Sequence, residues 1–332
     1  YFNTKLYTGN GGTQSITGVG HQPDLVWVKQ RNGTAYHQLT DAVRGVNSQA
    51  ASNDTGLGAS NACVTAFNSD GFALGSNGDV NGNTLTYASW NWKANGQGSS
   101  NTNGSINTTY TSANTTSGFS ISTYTGTGSN ATVGHGLGKV PKIVIVKKTS
   151  GSSPWRVYTS TTGNTSQMAL NATDPADSGN TTMWNSTTPT TDVFSIGTHG
   201  DVNTNGATYL AYCYVDVQGY SKMGSYVGNG NADGPFIYTG FKPAFVIVKR
   251  TDNTGSWRMI DNKRNSYNGQ YSTLQADSSS AEYTGNDDFG NTDLISNGFK
   301  LKQNYSQVNA SGGTYIYMAF AEAPLVGTNN VP

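Results

Sequence analysis

An internal repeat limits the folds open to this chain of 332 residues more than any other feature. Three kinds of segment recur three times in the same order: a glycine-rich opening motif, an apolar run followed by lysine, and an aromatic closing segment. The opening motifs are residues 7–11, 124–128 and 226–230, the apolar runs precede Lys29, Lys147 and Lys249, and the closing segments are residues 87–92, 209–215 and 315–320. Self-similarity of this kind indicates one structural unit built several times.

The apolar runs predict short β-strands. Each run is led by a proline, is rich in β-branched residues and is bounded by turn residues, and proline at the entry of a strand removes no ladder hydrogen bond. Turn signals return about every ten residues, and no apolar stripe with the helical period is long enough for a helix. The sequence therefore predicts an all-β protein of three tandem antiparallel β-sandwich repeats, jelly-roll-like in type, with a three-unit propeller as the alternative.

The spacing of the recurring segments predicts the domain boundaries. Repeat 1 is predicted at residues 1–97, repeat 2 at 118–219 and repeat 3 at 220–332. Between the first two lies the segment 98–117, which is mostly Asn, Ser, Thr and Gly and is predicted to be a linker. A further landmark is an aromatic residue followed by a basic or imidazole residue, aligned as Tyr36-His37, Trp155-Arg156 and Trp257-Arg258.

Composition argues against several classes of partner. Only 11% of the residues are charged and the formal net charge is zero, so neither a nucleic acid nor an anionic membrane surface is an expected partner. No apolar run approaches the roughly 18 residues that cross a bilayer. Cys63 and Cys213 lie in different repeats without metal-ligand spacing, which favours two buried apolar residues over a disulfide or a zinc site. Because the chain begins with Tyr1 rather than Met, we expect a processed product or part of a longer protein.

Several segments resemble a known family. The segments are residues 1–11, 15–20, 90–93, 234–241 and 313–324. Together they resemble a domain of unknown function that is repeated in tail-fibre-like proteins of marine and cyanobacterial tailed phages. The resemblance covers nearly the whole chain, and it implies a virion appendage or surface fibre whose β-rich modules face the host. It supplies no catalytic motif.

Stacking of sugar rings on exposed aromatic side chains is the binding chemistry that suits this hydroxyl- and amide-rich sequence. The candidate glycan-binding residues are Trp184, Trp155, Arg156, Trp257 and Arg258. Because Trp155 and Trp257 have equivalents in other repeats, core packing with a cation on the ring is favoured for both. Trp184 lies in a polar loop without a counterpart, so it is the better candidate for exposure.

Candidates for catalysis and for metal binding have weaker support from the sequence. No acidic residue recurs in all three repeats beside a recurring aromatic residue, and the tandem Asp287-Asp288 is typical of a solvated turn. Asp201, Asn203 and Asn205 alternate like the first half of a calcium loop, but Tyr212 replaces the acid at position twelve and repeat 3 lacks the motif. We therefore expect no enzyme and no cofactor, and we favour a polar hairpin turn over a calcium site.

Two functional hypotheses follow. The first is a structural subunit of a phage tail fibre or of another virion or extracellular appendage, which displays β-rich modules towards the host and forms a homo-oligomer or fibre. The alternative is a carbohydrate-binding adhesin module whose partner is a host-surface polysaccharide. A depolymerase would require paired carboxylates in a cleft. Both hypotheses predict a location on the virion surface or outside the cell.

Overall fold

The computed structural model describes residues 1–46, 48–56, 63–265, 268–269, 271–285 and 291–322. Repeat 1 contains β1 (Phe2–Thr8), β2 (Gln14–Thr17), β3 (Leu25–Gln30), β4 (Gln38–Asp41), β5 (Gln49–Ala51), β6 (Val64–Asn68), β7 (Gly71–Leu74), α1 (Gly78–Asn81) and β8 (Thr86–Trp92). Then follow β9 (Tyr110–Asn114), β10 (Phe119–Thr125), β11 (Ala131–Gly134), β12 (Ile143–Lys148), β13 (Arg156–Thr159), β14 (Ser166–Ala169), β15 (Asp177–Ser178), β16 (Val193–Ile196), α2 (Gly200–Asn203) and β17 (Thr208–Tyr214). Repeat 3 contains β18 (Ser221–Val227), β19 (Phe236–Tyr238), β20 (Phe245–Arg250), β21 (Arg258–Asp261), β22 (Leu274–Gln275), β23 (Thr292–Ile295), β24 (Gly298–Leu301), α3 (Ser306–Asn309) and β25 (Thr314–Phe320).

Three large sheets share one order of strands. The order is β1-β8-β3-β4-β5 in repeat 1 and β18-β25-β20-β21-β22 in repeat 3. Repeat 2 has the equivalent five strands with one strand added at each edge, in the order β15-β14-β13-β12-β17-β10-β9. Smaller sheets are formed by β2-β7-β6, β11-β16 and β19-β24-β23, and neighbouring strands are antiparallel throughout. The prediction of an all-β, antiparallel, sandwich-like fold is therefore confirmed.

The apolar runs before the lysines form strands buried on both faces. Each of β3, β12 and β20 has six residues, with the lysine in fifth place. In β12, Val144 and Val146 pack in a core shared with the small sheet of repeat 2, whereas Ile143 and Ile145 point to the opposite face. A strand that is covered on both sides needs apolar residues at successive positions, which explains why these runs do not alternate with polar residues.

The inner faces of the three large sheets meet in one common core. This core contains Trp90 of repeat 1, Tyr212 of repeat 2 and Met318 of repeat 3, which occupy the same position in β8, β17 and β25. Apolar surface on the inner face of each sheet is thus buried against the other two sheets. Cys63 and Cys213 are buried free thiols, as predicted. Both lie outside this common core.

Three aromatic rings mark a pseudo-threefold axis through the common core. Trp92, Tyr214 and Phe320 are the last residues of the equivalent strands β8, β17 and β25. Their ring centroids are 6.5 Å apart for Trp92 and Tyr214, 5.7 Å for Tyr214 and Phe320, and 5.6 Å for Trp92 and Phe320. Because all three pairs are in contact, the sheets surround the axis as a closed triangle.

The predicted linker 98–117 requires a correction. Its residues Tyr110–Asn114 form β9, which pairs with β10 along five residues. Thr111 and Ser112 are buried, and the hydroxyl groups of Thr111 and Ser122 are 2.9 Å apart. Small hydroxyl side chains can pack and hydrogen-bond between neighbouring strands, so a composition typical of linkers also fits this edge strand. The exact domain boundaries stay a prediction.

We predict that truncating one axial ring destabilises the whole chain. Trp92→Ala should lower the free energy of unfolding by about 3–5 kcal/mol, because it empties part of a core to which all repeats contribute. Urea denaturation followed by fluorescence and by circular dichroism should give one transition for both signals. Tyr36→Ala is the control, since Tyr36 is 47% exposed, and it should change stability by less than about 0.5 kcal/mol. Separate transitions, or equal effects of both variants, would contradict a common core.

Candidate functional site

Each repeat is tied to a neighbouring repeat by equivalent main-chain hydrogen bonds. The donor N–H groups lie just before the equivalent strands β13, β21 and β4. The acceptor carbonyl groups lie shortly after β5, β14 and β22, respectively, in the neighbouring repeat. The three bonds are Ser153 N to Thr55 O (2.9 Å), Gly255 N to Thr173 O (2.8 Å) and Ala35 N to Ser279 O (3.0 Å). Repeat 2 thus binds repeat 1, repeat 3 binds repeat 2, and repeat 1 binds repeat 3, which closes a ring.

Trp155 and Trp257 lie within these contacts between repeats. The indole Nε1 of Trp155 donates to Ala51 O at 2.8 Å, and that of Trp257 donates to Ala169 O at 2.9 Å. Both rings are buried, at 0% and 2% exposed. The packing role that was favoured from the sequence is therefore what the structure shows, and neither ring is available to stack on a sugar.

The landmark alignment of repeat 1 was one residue out of register. The first residues of β4, β13 and β21 are equivalent, so His37, not Tyr36, occupies the position of Trp155 and Trp257. His37 is buried and accepts a 2.8 Å hydrogen bond at Nδ1 from Nε1 of Trp27. Burial, with the nearby Lys29 charge, holds the pKa of His37 well below its usual range, which keeps the ring neutral. His37, Trp155 and Trp257 each lie eight residues after the recurring lysine, so the spacing agrees with this register, whereas matching aromatic residues by type led to Tyr36.

Arg156 and Arg258 hold the short helices α2 and α3 against the large sheets. The Arg156 guanidinium donates to Oδ2 of Asp201 at 2.7 Å, and Arg258 donates to Oε1 of Gln307 at 2.6 Å. Arg258 also lies over the ring of Tyr305, at 5.6 Å from its centroid. Adjacent residues in an extended segment point to opposite faces, so neither arginine lies on the ring of the tryptophan before it. The cation over the Trp155 ring is instead Lys147, whose Nζ is 5.9 Å from the ring centroid.

Trp184 is buried, and the prediction that it would be exposed is wrong. It is 2% exposed, its Nε1 donates to Ser166 O at 3.0 Å, and its ring lies edge-on to Tyr158 at 5.9 Å. The polar residues around it in the sequence form a loop that folds back over β14 and β13. Exposure was inferred from local composition, whereas burial depends on partners 18 and 26 residues away.

The weak calcium candidate does not form a set of free ligands. The Asn203 side chain is fully buried: Oδ1 accepts from Thr127 N at 2.7 Å and Nδ2 donates to Ser129 O at 2.6 Å. Asp201 is tied to Arg156, and Asn205 is exposed on the turn that follows. Among the described residues, no three His, Cys, Asp or Glu side chains are grouped to hold a metal ion. Asp287 and Asp288 lie outside those residues.

The recurring asparagine at the end of each short helix organises the opening motif. Asn81, Asn203 and Asn309 are all fully buried. The side-chain oxygen of each accepts a hydrogen bond from a main-chain N–H in the loop after β1, β10 or β18, respectively. A stacked tyrosine pair beside each helix completes the arrangement; the pairs are Tyr7 and Tyr87, Tyr124 and Tyr209, and Tyr226 and Tyr315. Sequence comparison within the chain found the tyrosines, but it treated the asparagine as part of a variable motif.

The lysines at the repeat contacts are buried cations. Nζ of Lys147 donates to Thr55 O of repeat 1 at 2.9 Å and to Ser153 O at 2.6 Å. Nζ of Lys249 likewise donates to Thr173 O of repeat 2 at 3.2 Å, and to Arg250 O at 2.7 Å. Burial lowers the pKa of each lysine to about 8, and nearby carboxylates such as Asp201 oppose that shift for Lys147. These ammonium groups therefore bind carbonyl oxygens at the seams between repeats.

A groove of about 460 Å³ lies between repeats 1 and 2. One wall is the turn after β4, which contains Arg44. The other wall is the end of the large sheet of repeat 2, where Thr123, Lys148, Thr208 and Tyr110 line the groove. Three of its fourteen lining residues are cationic, against 19 of 332 in the chain, and none of these fourteen is acidic. Arg44 is neutralised by Asp41 at 2.6 Å. The groove thus offers hydroxyl groups and the Lys148 ammonium to an oxygen-rich ligand.

These contacts define an all-β protein whose three sandwich-like units close into a ring around a common core. A family model described as a domain of unknown function (DUF7483) matches residues 1–324, and the chain belongs to that family. No curated protein matches it. Within the described residues, no helix is long and apolar enough to cross a membrane. The resemblance to a domain of unknown function is thus confirmed, while its occurrence in phage tail-fibre proteins stays a prediction.

We predict a stability effect of pH that depends on Lys147. Its pKa is about 8 in the folded protein and about 10.4 in an unfolded chain. Between these values the unfolded chain binds more protons, so the contribution of this lysine to the free energy of unfolding rises with pH. The stability of the wild type relative to Lys147→Met should therefore be greater at about pH 9.5 than at about pH 7.5.

Urea denaturation at several pH values measures this difference. Comparison with a variant removes the effects of tyrosine and cysteine ionisation that both proteins share. Lys139→Met is the matched control, because Lys139 is exposed, and its stability should run parallel to that of the wild type. A difference between the wild type and Lys147→Met that stays constant with pH would contradict the assignment.

Proposed function

We propose that this protein is a structural subunit of a phage tail fibre or of another virion or extracellular appendage. The common core carries the proposal: one chain packs three sheets around an axis and supplies a rigid threefold module without separate subunits. Because each inner face is covered only when all three sheets are present, movement of one repeat against another would expose apolar surface. Resistance to such movement suits a part that transmits or withstands force.

The positions of the recurring residues support a non-enzymatic role. The lysine, tyrosine and asparagine side chains that return in every repeat bind main-chain groups at seams or at short helices. The chemistry that the repeats have in common is therefore used to hold the fold. A neutral surface rich in hydroxyl and amide groups would also limit non-specific adhesion in the extracellular environment, where we place the protein.

We further infer that copies of the chain assemble into an oligomer or fibre. The pseudo-threefold ring has two unlike ends along its axis, so copies stacked head to tail along the axis would form an open filament. Such contacts would lie outside the common core and leave its packing unchanged. A fibre of this kind would present many copies of each exposed site to a host surface.

Immunogold electron microscopy tests the location. Antibodies against the purified chain, applied to negatively stained particles from the source culture, should label an appendage. Pre-absorption of the antibodies with the purified chain is the control and should abolish labelling. Gold confined to cell interiors, or the absence of gold from every particle, would contradict the proposal.

The second candidate function is a carbohydrate-binding adhesin, and the groove between repeats 1 and 2 favours it. Saccharide sites combine an aromatic surface with several hydroxyl and amide groups that fix orientation. Tyr110, Thr123 and Thr208 supply such groups. Lys148 adds a cation: its Nζ donates to Thr204 Oγ1 at 3.3 Å, and no acidic residue lines the groove to neutralise it. This arrangement suits a saccharide that carries carboxylate groups.

We predict that the groove binds an acidic polysaccharide through Lys148. Alginate, a polymer of uronic acids, should retard the wild type in affinity electrophoresis, and Lys148→Ser should weaken the retardation by roughly tenfold because it removes a charge-assisted hydrogen bond. Lys139→Ser is the control of equal charge and should behave like the wild type. Equal retardation of both variants would attribute binding to net charge and would contradict a site in the groove.

A further inference from the structure

Strand β19 of repeat 3 presents two aromatic side chains to solvent. Phe236 is 44% exposed and Tyr238 is 65% exposed, whereas Ile237 between them is buried. Because side chains alternate along a strand, both rings lie on the outer face of the small sheet. A Cβ atom at Gly298, on the neighbouring strand, would lie 2.7 Å from Cε2 of Phe236, so this glycine leaves room for the ring to lie against the sheet. We call Phe236 and Tyr238 the aromatic platform.

Repeat 1 shows that the fold does not require these two rings. Ile16 of β2 pairs with Phe72 as Ile237 pairs with Phe299, so Ser15 and Thr17 occupy the positions of Phe236 and Tyr238. Both are exposed in repeat 1. The same buried face is therefore built under a polar outer face. Neighbouring large apolar side chains that are exposed on one face, and that the fold does not need, indicate an interaction site.

Repeat 2 has neither the rings nor an open face at this place. The equivalent residues of β11 are Thr132 and Gly134. Ile106 N donates to Thr132 O at 3.0 Å, and a Cβ atom at Gly134 would lie 2.1 Å from Oδ1 of Asn101. Residues 101–106 thus cover the strand. Of the three equivalent places, repeat 3 alone combines aromatic residues with exposure.

The charged residues beside the aromatic platform are paired. Lys300 lies opposite Phe236 in the sheet and binds Asp233 at 2.7 Å, while Lys302 binds Asp293 at 3.3 Å. Among the residues that the structure describes, these two cations and two carboxylates leave no net charge beside the aromatic platform. A ligand that covers this surface therefore needs apolar faces for the rings and neutral polar groups around them.

We propose that the aromatic platform binds the pyranose rings of a neutral polysaccharide. The C–H groups on one face of a pyranose ring can stack on the negative face of an aromatic ring, while its hydroxyl groups stay solvated or bind the polar surroundings. Two rings two residues apart on a sheet are too small an area for a stable protein interface, which needs about 800 Å² on each partner. The inference rests on the carbohydrate-binding alternative above for its ligand class, and it names a site separate from the cationic groove.

Affinity electrophoresis in gels that contain hydroxyethylcellulose, laminarin or galactomannan tests the proposal. The wild type should be retarded by at least one of these neutral polymers. Phe236→Ser with Tyr238→Thr, which gives repeat 3 the residues of repeat 1, should weaken binding at least tenfold. Because both residues are exposed, its melting temperature should stay close to that of the wild type. Tyr238→Phe should bind like the wild type, since it keeps the ring.

Transfer of the aromatic platform is the sharper test. Ser15→Phe with Thr17→Tyr, added to the double variant of repeat 3, should restore retardation, because Gly71 pairs with Thr17 as Gly298 pairs with Tyr238 and so leaves the same room for a ring. Lys148→Ser should leave binding to these neutral polymers unchanged, which separates this site from the groove. Absence of retardation for the wild type in every gel, or undiminished binding by the double variant, would overturn the proposal. Failure of the transfer would overturn the claim that the two rings suffice.

Discussion

Contact among Trp92, Tyr214 and Phe320 on the pseudo-threefold axis is the interaction on which the other features of the fold depend. Each ring ends an interior strand of a large sheet, so their mutual contact brings the three inner faces together. A repeat that cannot bury its apolar face alone is stabilised by its neighbours. The hydrogen bonds at the seams then fix the rotation of each sheet relative to the next, because their donors and acceptors are main-chain groups.

The sequence predicted those features that depend on residues close together in the chain. The strands before Lys29, Lys147 and Lys249, the antiparallel all-β class and the burial of both cysteines follow from local patterns. The common core could not be predicted in this way. Its contacts join distant residues, as in the hydrogen bond from Trp155 to Ala51, 104 positions away.

The candidate site was harder to predict than the fold, because exposure depends on which chain segments cover a residue. Trp184 has polar neighbours in the sequence and is buried, whereas Tyr238 follows an ordinary buried isoleucine and is exposed. Comparison of the repeats provides the missing information once strand register is known. A residue common to all repeats stabilises the shared fold. A large apolar residue that occurs at an exposed position in one repeat alone is not needed for that fold.

A single chain also allows the three seams to differ, which three identical subunits could not do. At the first seam Tyr212 binds Asp41 beside Arg44, and at another Trp90 binds Asp261 beside Arg264. The equivalent residues of the remaining seam are Thr159, Thr162 and Met318, and the two threonine hydroxyl groups are 3.0 Å apart. A buried ion pair can give way to less polar packing when both partners change together. The covalent link between repeats makes such a change possible at one seam alone, and it likewise allows one repeat to carry an aromatic platform while the others keep threonine, serine or glycine.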